Sequence, residues 1–481
     1  MEIRPIARCL RQTLIVISML AIIATSQSGW SAELPRYFGL TILHTNDIHG
    51  HLFPVTYLQD GKVIPDVGGA ARRATLIRGI KADSRNPVLA MDAGDLFTRG
   101  PLGDQNGVPD FDVMNAIPYD VMTLGNNEFV GGQHILFDRI KQARFPIITA
   151  NVFFKSSGKP IIPPYRIFDY YGVKIGIFGL TAPRVAGYSQ AEGLEVRDPI
   201  EAARNIVPDL REQADFIVAL THIGYDMDRK LAAEVPGIDV IIGGDSHTWL
   251  PQPTLVADSS YTNPAFYIGG TLVCQDGEWG KCVDELFLRL RRSEGHRYRV
   301  MSYSAKLIDV DTSIPSAPDV DKLLDCYTKS LRKELVYLDQ GFSRTEAPGR
   351  MARCFREIAG TQIGAAHIWT IEEGLSSGSV TELDIRKMCP FWRSHLVSLI
   401  VTGKQLKDFI IEGEAEVSGA QLRDGQLYVG EKKASDDRTY SLAIAGFNTQ
   451  VLKNIKRTDL GLSIQESVVK YIHSEKYENG N

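Results

Sequence analysis

The chain has 481 residues, a length that predicts two or three domains rather than a single core. Hydrophobic residues make up 44% of it and charged residues 23%, a globular composition that excludes intrinsic disorder, collagen and coiled coil. The formal net charge is only −5 and no long basic run occurs, so we expect no nucleic acid partner.

The first predicted element is a secretory signal peptide in residues 1–32. Arg4, Arg8 and Arg11 precede a short apolar run at residues 14–24, and small and polar residues follow. This order is typical of a cleaved export signal. The alternative is an uncleaved membrane anchor, but the run is short for a bilayer crossing. We expect a mature protein that is exported, to the periplasm or outside the cell, and that is not attached to a membrane.

Residues 38–300 are predicted to form an α/β layered domain. Several β-branched runs are apolar on both faces, as in strands that are buried on both sides, and helical patterns such as residues 199–214 lie between them. Candidate strands lie at residues 40–45, 86–93, 119–125, 145–152, 174–180, 215–224 and 239–245. A hairpin is predicted at residues 266–292.

A second domain is predicted at residues 340–475. The polar segment at residues 291–300 is typical of a boundary. Residues 319–335 then carry apolar side chains at helical spacing, so we expect an amphipathic helix that links the two domains.

The cysteines leave two possibilities open. An odd number of them follows the signal peptide, so at least one thiol is unpaired. Cys274 and Cys282 are equidistant from Glu278, and a hairpin that closes there would place them opposite each other. A disulfide and two buried thiols both fit this pattern.

Polar side chains follow several of the predicted strands. They are Asp47, His49, Asp92, Asp95, Asn126, Asn127, His222, Asp245 and His247. The carboxyl ends of strands in layered α/β folds converge, and sites are built there. Imidazole and carboxylate together suit Mn, Zn, Fe, Co or Ni, and two such ions can stabilise charge on a phosphoryl group. The alternative is a set of unrelated caps and buried polar groups, which would require the same coincidence at five strand ends.

The first 300 residues contain, in order, LTILHTNDIHGHLFP, AMDAGDLF, TLGNNEF, ALTHIG and IIGGDSHTWL. These segments resemble the motifs of calcineurin-like metallophosphoesterases, in particular the 5′-nucleotidase branch. A later stretch, GSVTELDIRKMCPFWRSHLVSLIVTGKQLKDFI, is similar to the C-terminal domain of that family. The resemblance implies a four-layer αββα metallophosphatase domain, a linking helix and a smaller α+β C-terminal domain that recognises the substrate.

The resemblance also implies two divalent metal ions and a small-molecule phosphoester substrate, such as a nucleotide. The first ion would be bound by Asp47, His49, Asp95 and His247. Asp95 would bridge to the second ion, which would also be bound by Asn126, His222 and Asp245.

Several positions depart from the family pattern. Asn127 stands where the family has a catalytic His, and Val130 stands where an Asp orients that His. Asn127 can donate a hydrogen bond to a phosphoryl oxygen, but it cannot act as the general acid, a role that typically contributes about 10²–10⁴-fold. Asp245 replaces a His and adds a negative charge. We expect a slow enzyme, or one whose substrate has a good leaving group.

Further departures concern substrate recognition. Glu372 stands where the family has a phosphate-binding Arg, so we expect poor use of AMP relative to a small aryl phosphate. Phe391 matches one of the two aromatic residues that sandwich the base in the family, and Phe447 is the candidate for the other.

Two alternative functions fit the same residues. One is hydrolysis of another oxyanion, as in the related thiosulfohydrolases of bacterial sulfur oxidation. The other is a catalytically silent binding protein that keeps the metal ions for structure, and the loss of the His–Asp pair motivates it.

Overall fold

The computed structural model describes residues 34–59, 62–257, 267–293, 297–391, 394–446, 452 and 455–472. The predicted signal peptide of residues 1–32 and Phe447 lie outside the described residues. Within the described part of the chain, no helix is long and apolar enough to cross a membrane.

The first domain alternates strands and helices. Its strands are β1 (Tyr37–Thr45), β2 (Pro54–Gln59), β3 (Lys62–Gly68), β4 (Val88–Asp92), β5 (Val121–Thr123), β6 (Ile147–Ile148), β7 (Val152–Phe154), β8 (Tyr165–Tyr170), β9 (Val173–Thr181), β10 (Leu194–Val196), β11 (Phe216–His222), β12 (Val240–Ile242), β13 (Thr254–Ala257), β14 (Gly270–Cys274), β15 (Cys282–Arg292) and β16 (Tyr298–Asp309). Its helices are α1 (Ala70–Asp83), α2 (Val108–Ala116), α3 (Gln133–Gln142), α4 (Pro199–Gln213) and α5 (Tyr225–Glu234).

Two six-stranded sheets pack face to face in this domain. The first has the order β16-β15-β1-β4-β5-β6, and the second has the order β13-β14-β12-β11-β9-β8. Because side chains alternate along a strand, Ile42 of β1 points into the core between the sheets, and Leu43 points outward to α1 and α2. In β9, Ile177 packs between the sheets and Phe178 packs under α4 and α5. The result is an αββα arrangement of four layers.

Helix α4 shows how the sequence specifies an outer layer. The Asp198 side chain caps its N-terminus by accepting hydrogen bonds from the backbone N–H groups of Ile200 and Glu201. Ala203, Val207 and Leu210 follow at helical spacing and are buried against the second sheet.

The chain then continues into a smaller α+β domain. Its strands are β17 (Glu334–Leu338), β18 (Ile363–His367), β19 (Gly378–Thr381), β20 (His395–Thr402), β21 (Ala415–Ser418), β22 (Ala420–Arg423), β23 (Gln426–Val429), β24 (Lys432–Lys433), β25 (Thr439–Ala445) and β26 (Arg457–Ser463). Helix α6 (Pro318–Thr328) precedes this domain. The helices of the domain are α7 (Ala347–Ala359), α8 (Glu382–Met388), α9 (Gly403–Glu412) and α10 (Ile464–Ile472). A five-stranded sheet, β21-β18-β25-β20-β26, forms the centre of this domain.

The helix predicted over residues 319–335 is shorter in the structure. Helix α6 ends at Thr328, a 3₁₀ turn covers Lys329–Arg332, and β17 begins at Glu334. Val320 and Leu324 of α6 pack into the outer core of the first domain, so this helix is anchored there.

The hairpin predicted at residues 266–292 is wrong. Strand β14 pairs with β12 and β13 in the second sheet, whereas β15 pairs with β1 and β16 in the first. The turn-rich segment between them crosses from one sheet to the other. Cys274 and Cys282 are buried free thiols, so the disulfide alternative is also wrong.

Parallel pairing fixes where the strand-end residues lie. In the first sheet β1, β4, β5 and β6 are parallel, and in the second β9, β11, β12 and β14 are parallel. The carboxyl ends of both sets therefore meet at one edge of the two-sheet core.

Candidate metal centre

Loops at the strand ends bring the predicted ligands together. Five of these residues have left-handed backbone conformations with φ between 52° and 82°, namely Asp47, His49, Asp95, Asp245 and His247. Such conformations are uncommon for residues other than glycine and are concentrated at functional sites. Backbone hydrogen bonds from Asp47 N to Gly94 O (3.0 Å) and from His49 N to Asp95 O (2.9 Å) join the loops after β1 and β4.

The first group of donor atoms surrounds Asp47, His49 and His247. The two Nε2 atoms of His49 and His247 lie 3.0 Å apart. Asp47 Oδ1 is 3.6 Å from His49 Nε2 and 3.4 Å from His247 Nε2. Asp95 Oδ2 lies 4.0 Å from His49 Nε2. Four side chains thus direct nitrogen or oxygen donors at one another, as the sequence predicts for the first ion.

The second group centres on His222. Its Nε2 lies 3.3 Å from Asp95 Oδ1, 3.5 Å from Asp245 Oδ1 and 3.8 Å from Asp47 Oδ1. Asp95 therefore presents one oxygen to each group, as the bridging prediction requires. Asp47 Oδ1 also lies beside both groups, although the sequence assigned this residue to one ion only.

Neighbouring residues orient the donor atoms. His222 Nδ1 lies 2.8 Å from Ala93 O and His247 Nδ1 lies 2.7 Å from Glu278 Oε2, which leaves both Nε2 atoms toward the cluster. Asp47 Oδ2 accepts hydrogen bonds from Asn46 Nδ2 (2.7 Å) and from the backbone N–H of Asp245 (2.9 Å), so Oδ1 faces inward. Glu278 was not singled out as a ligand partner, because its pairing with His247 depends on the crossing between the sheets.

The donor set fits a cation. Asp47 Oδ1 and His222 Nε2 are buried, and neither has a hydrogen-bond partner among the described residues. A buried polar atom without a partner is costly, and a metal ion is one way to satisfy several such atoms together. The mixed imidazole and carboxylate donors suit Mn, Zn, Fe, Co or Ni.

Charge in the cluster supports the same conclusion. Burial opposes protonation of His222, but Asp95 and Asp47 raise its pKa well above the ordinary value. Burial also opposes protonation of His247, whereas Asp47 and Glu278 raise its pKa to about 9. By contrast, burial, with Arg99 and His247 beside it, lowers the pKa of His49. The carboxylates thus favour positive charge at His222 and His247, whereas burial and cationic neighbours disfavour it at His49.

Comparison with known proteins identifies the family. The calcineurin-like phosphoesterase model matches residues 40–249, and the 5′-nucleotidase C-terminal domain model matches residues 340–451. The chain is 32% identical over 508 residues to the protein UshA of Salmonella pullorum, and the match covers 90% of each chain. The chain belongs to the 5′-nucleotidase family of calcineurin-like phosphoesterases.

Solved structures agree with the family and its two-domain α/β fold, which the sequence predicted and which are confirmed. The 5′-nucleotidase precursor of Thermus thermophilus is 28% identical with a TM-score of 0.72, and the match covers 90% of this chain and 96% of that one. The sulfate thiohydrolase SoxB of the same species has a TM-score of 0.70 over 92% of this chain and 95% of its own, but at 18% identity this likeness concerns the fold alone.

Asn127 lies against the ligands of the 5′-nucleotidase-type site. Its backbone N–H donates to Asp95 Oδ1 (2.7 Å), and its Nδ2 donates to Asp95 Oδ2 (2.8 Å) and lies 3.0 Å from His49 Nδ1. The amide thus contacts two of the predicted ligands. Contact between this amide and a substrate stays a prediction.

Arg184 is a site residue that sequence reasoning missed. It follows β9 on the 3₁₀ helix Pro183–Gly187, and its guanidinium donates to Asp245 and to Asn126. The sequence gives no local signal for Arg184, because Asp245 and Asn126 are distant from it along the chain.

The C-terminal domain contributes Glu372 and Phe391 near the same edge. Glu372 Oε2 lies 2.6 Å from His51 Nε2, and both side chains are buried. The Arg99 guanidinium lies 5.7 Å from the Phe391 ring centre, and Trp369 contacts Phe391 edge-to-face at 5.6 Å. Trp369 was also missed, since a single aromatic residue in a short 3₁₀ helix carries no spacing signal.

Proposed function

We propose that this chain is an exported hydrolase of small phosphoesters that uses two divalent metal ions. The observation that carries the proposal is the pair of donor groups that meet around Asp47 and Asp95 at the strand ends. When bound, the ions would supply Lewis acidity for water and for the phosphoryl oxygens. Neighbouring residues of the protein orient the ligand side chains and set the charge of the site.

In this proposal each ion has its own set of side chains. The first would be held by Asp47, His49, Asp95 and His247, and the second by Asp95, Asn126, His222 and Asp245. Backbone conformation and neighbouring hydrogen bonds orient these side chains, and such preorganisation lowers the entropic cost of binding.

The substrate preference follows from what faces the cluster. Asn127 cannot protonate a departing alkoxide, so esters with good leaving groups should react faster. Glu372 is acidic and so offers no positive charge to a phosphate group, and its carboxylate contacts His51. Small aryl phosphates should therefore be better substrates than AMP.

Export is proposed from the sequence pattern of residues 1–32. Expression with the native N-terminus, followed by mass spectrometry of the recovered protein, tests it. A chain that keeps residues 1–32 and stays inside the cell would contradict it.

Turnover of p-nitrophenyl phosphate by the Mn²⁺-loaded mature chain tests the hydrolase proposal. Asp95→Asn is the control, because it removes the charge that both donor groups share and changes little in size. We expect clear turnover in the native chain and at least a roughly hundredfold lower rate in the variant, the scale on which single positioned groups contribute. Equal rates would show a contaminating phosphatase.

A catalytically silent binding protein is the second candidate, and Asn127 in place of an acid favours it. It would bind Mn²⁺ as the enzyme does, yet release no p-nitrophenolate. Release of sulfate from a thiosulfate ester, with no hydrolysis of phosphoesters, would instead favour the alternative function as a hydrolase of another oxyanion.

A further inference from the structure

Arg184 contacts the two oxygen ligands that the proposed function gives to the second ion alone. Its Nη1 donates to Asp245 Oδ2 at 2.9 Å, and its Nη2 contacts Asp245 Oδ1 and Asn126 Oδ1. The fork geometry of a guanidinium matches a carboxylate, and the amide oxygen completes the arrangement. One side chain thus holds two ligands from different strand ends.

The first ion's ligands have no equivalent contact. Among the described residues, no Arg or Lys side chain is hydrogen-bonded to Asp47, His49 or His247, whose partners are carboxylates, amides and one another. Arg99 acts on His49 through its charge, without a hydrogen bond. A direct guanidinium contact with the ligand oxygens therefore distinguishes the second donor group from the first, although the two groups have similar ligand types.

The direction of the effect follows from electrostatics. A guanidinium is always charged, and it repels a dication a few ångströms away while it draws electron density from the shared oxygens. The Arg184 side chain is 49% exposed, so solvent reduces this repulsion without removing it. Asp245 adds a negative charge to the second group, and Arg184 offsets that charge.

We propose that Arg184 is a positioning residue that orients Asp245 and Asn126 and lowers the affinity of the chain for the second ion. The second ion would therefore bind more weakly than the first. This inference rests on the proposed dimetal function and names which of its two sites is the weak one. At limiting metal the chain would hold one ion, in the group formed by Asp47, His49 and His247.

The test is a titration of the full mature chain with Mn²⁺ after treatment with a chelator. Calorimetry measures the affinities, and electron paramagnetic resonance monitors the bound ions. Spin coupling between neighbouring Mn²⁺ ions reports the second ion without any activity measurement. The variants are Arg184→Met, which keeps the apolar stem, and Arg184→Lys, which keeps the charge and loses the fork. The matched control is Arg204→Met, because Arg204 is 50% exposed and pairs with Glu234 at 2.5 Å away from the cluster.

We expect the native chain to bind the second ion at least about tenfold more weakly than the first, and Arg184→Met to tighten the second ion about tenfold, on the scale of one partly screened charge. Arg184→Lys should fall between them, and Arg204→Met should match the native chain. Equal affinities in the native chain, or a second ion that is unchanged or weaker in Arg184→Met, would overturn the inference. Folding of each variant is checked by its melting curve.

Failure of the proposed function gives a different result. If native chain and Arg184→Met both bind fewer than two ions, with no spin coupling at excess Mn²⁺, the dimetal site itself is absent and the inference falls with it. If two ions bind with equal affinity and p-nitrophenyl phosphate is hydrolysed, the function stands and only the role of Arg184 is wrong.

Discussion

Asp47 has a more central position than its place in the sequence implies. Its Oδ2 is held by Asn46 and by the backbone of Asp245, and its Oδ1 lies within 3.8 Å of the Nε2 atoms of His49, His222 and His247. One oxygen therefore contributes to the field at both proposed ions. Loss of this charge should affect both, and not the first alone.

Asp47→Asn is accordingly expected to weaken the binding of both ions by about tenfold or more. The substitution removes a buried negative charge that would attract both cations. His49→Ala changes a ligand of the first group only. It should lower the affinity for the first ion and change the affinity for the second by less than a factor of about three. Equilibrium dialysis with Mn²⁺ measures both. Retention of one tight ion in Asp47→Asn would contradict the shared position of Asp47.

The Asn127 position should control the choice of leaving group. Asn127→His, with Val130→Asp to orient the ring, is expected to raise the rate on an alkyl phosphate about tenfold or more and the rate on p-nitrophenyl phosphate much less. The ratio of the two kcat values is the measurement. Equal effects would show that the side chain at 127 only positions Asp95 and His49.

At this scale the sequence points to the candidate ligands better than to their partners. The proximity of Asp95 and His222 could be predicted because each lies at the end of an apolar run, and the ends of parallel strands converge. Arg184 and Glu278 could not, because their contacts with Asp245 and His247 join segments whose proximity depends on how the two sheets pack.

Among the elements, the turns after β4 and β5 are joined by Glu128. Its carboxylate accepts hydrogen bonds from the backbone N–H groups of Asp95 (3.1 Å), Leu96 (2.8 Å) and Gly125 (2.7 Å). Burial and the nearby charge of Asp95 together raise the pKa of Glu128 to about 8. Through these three hydrogen bonds Glu128 holds together two turns that carry predicted ligands.

Glu128→Ala leaves these three backbone donors without their acceptor, at a cost of roughly 1–3 kcal/mol for each buried group that stays unsatisfied. We expect faster amide hydrogen exchange at Leu96 and Gly125, a lower melting temperature and weaker binding of both ions. Exchange followed by mass spectrometry of peptides from the two turns is the measurement. Unchanged exchange there would show that water replaces the carboxylate without loss.

Element boundaries show where sequence patterns were insufficient. The strands of the two-sheet core were predicted from their apolar runs, because burial on both faces leaves a clear signal. The segment between Cys274 and Cys282 has the turn residues of a hairpin, yet β14 and β15 belong to different sheets. Turn composition reports that the chain bends, and strand pairing decides which sheet it enters.

At the scale of the whole molecule, charged contacts join the two domains beside the cluster. His51 pairs with Glu372 and stacks on Trp279 at 4.4 Å. Arg386 of α8 pairs with Asp104 at 2.8 Å. The C-terminal domain is thus held next to the strand ends by residues that the sequence pattern did not connect.

Glu372→Ala should lower the melting temperature by several degrees, because it leaves His51 buried without its partner. The double variant with His51→Ala should lose less stability than the sum of the two single variants, because the two residues are in contact. Differential scanning calorimetry measures both. Glu372→Arg, which the sequence alone would suggest for improved use of AMP, should destabilise the contact because it places a cation against His51. Native stability in Glu372→Ala would show that the contact carries no energy.

The most direct test of the dimetal hydrolase account combines metal counting with turnover. Mn²⁺ is titrated into the chelator-treated chain, and bound ions per chain and p-nitrophenyl phosphate hydrolysis are measured on the same samples. The account predicts little activity at one bound ion, a rise as the second binds and a plateau near two, with Asp95→Asn inactive throughout. Full activity with one ion or fewer, or activity that survives removal of all metal, would contradict it.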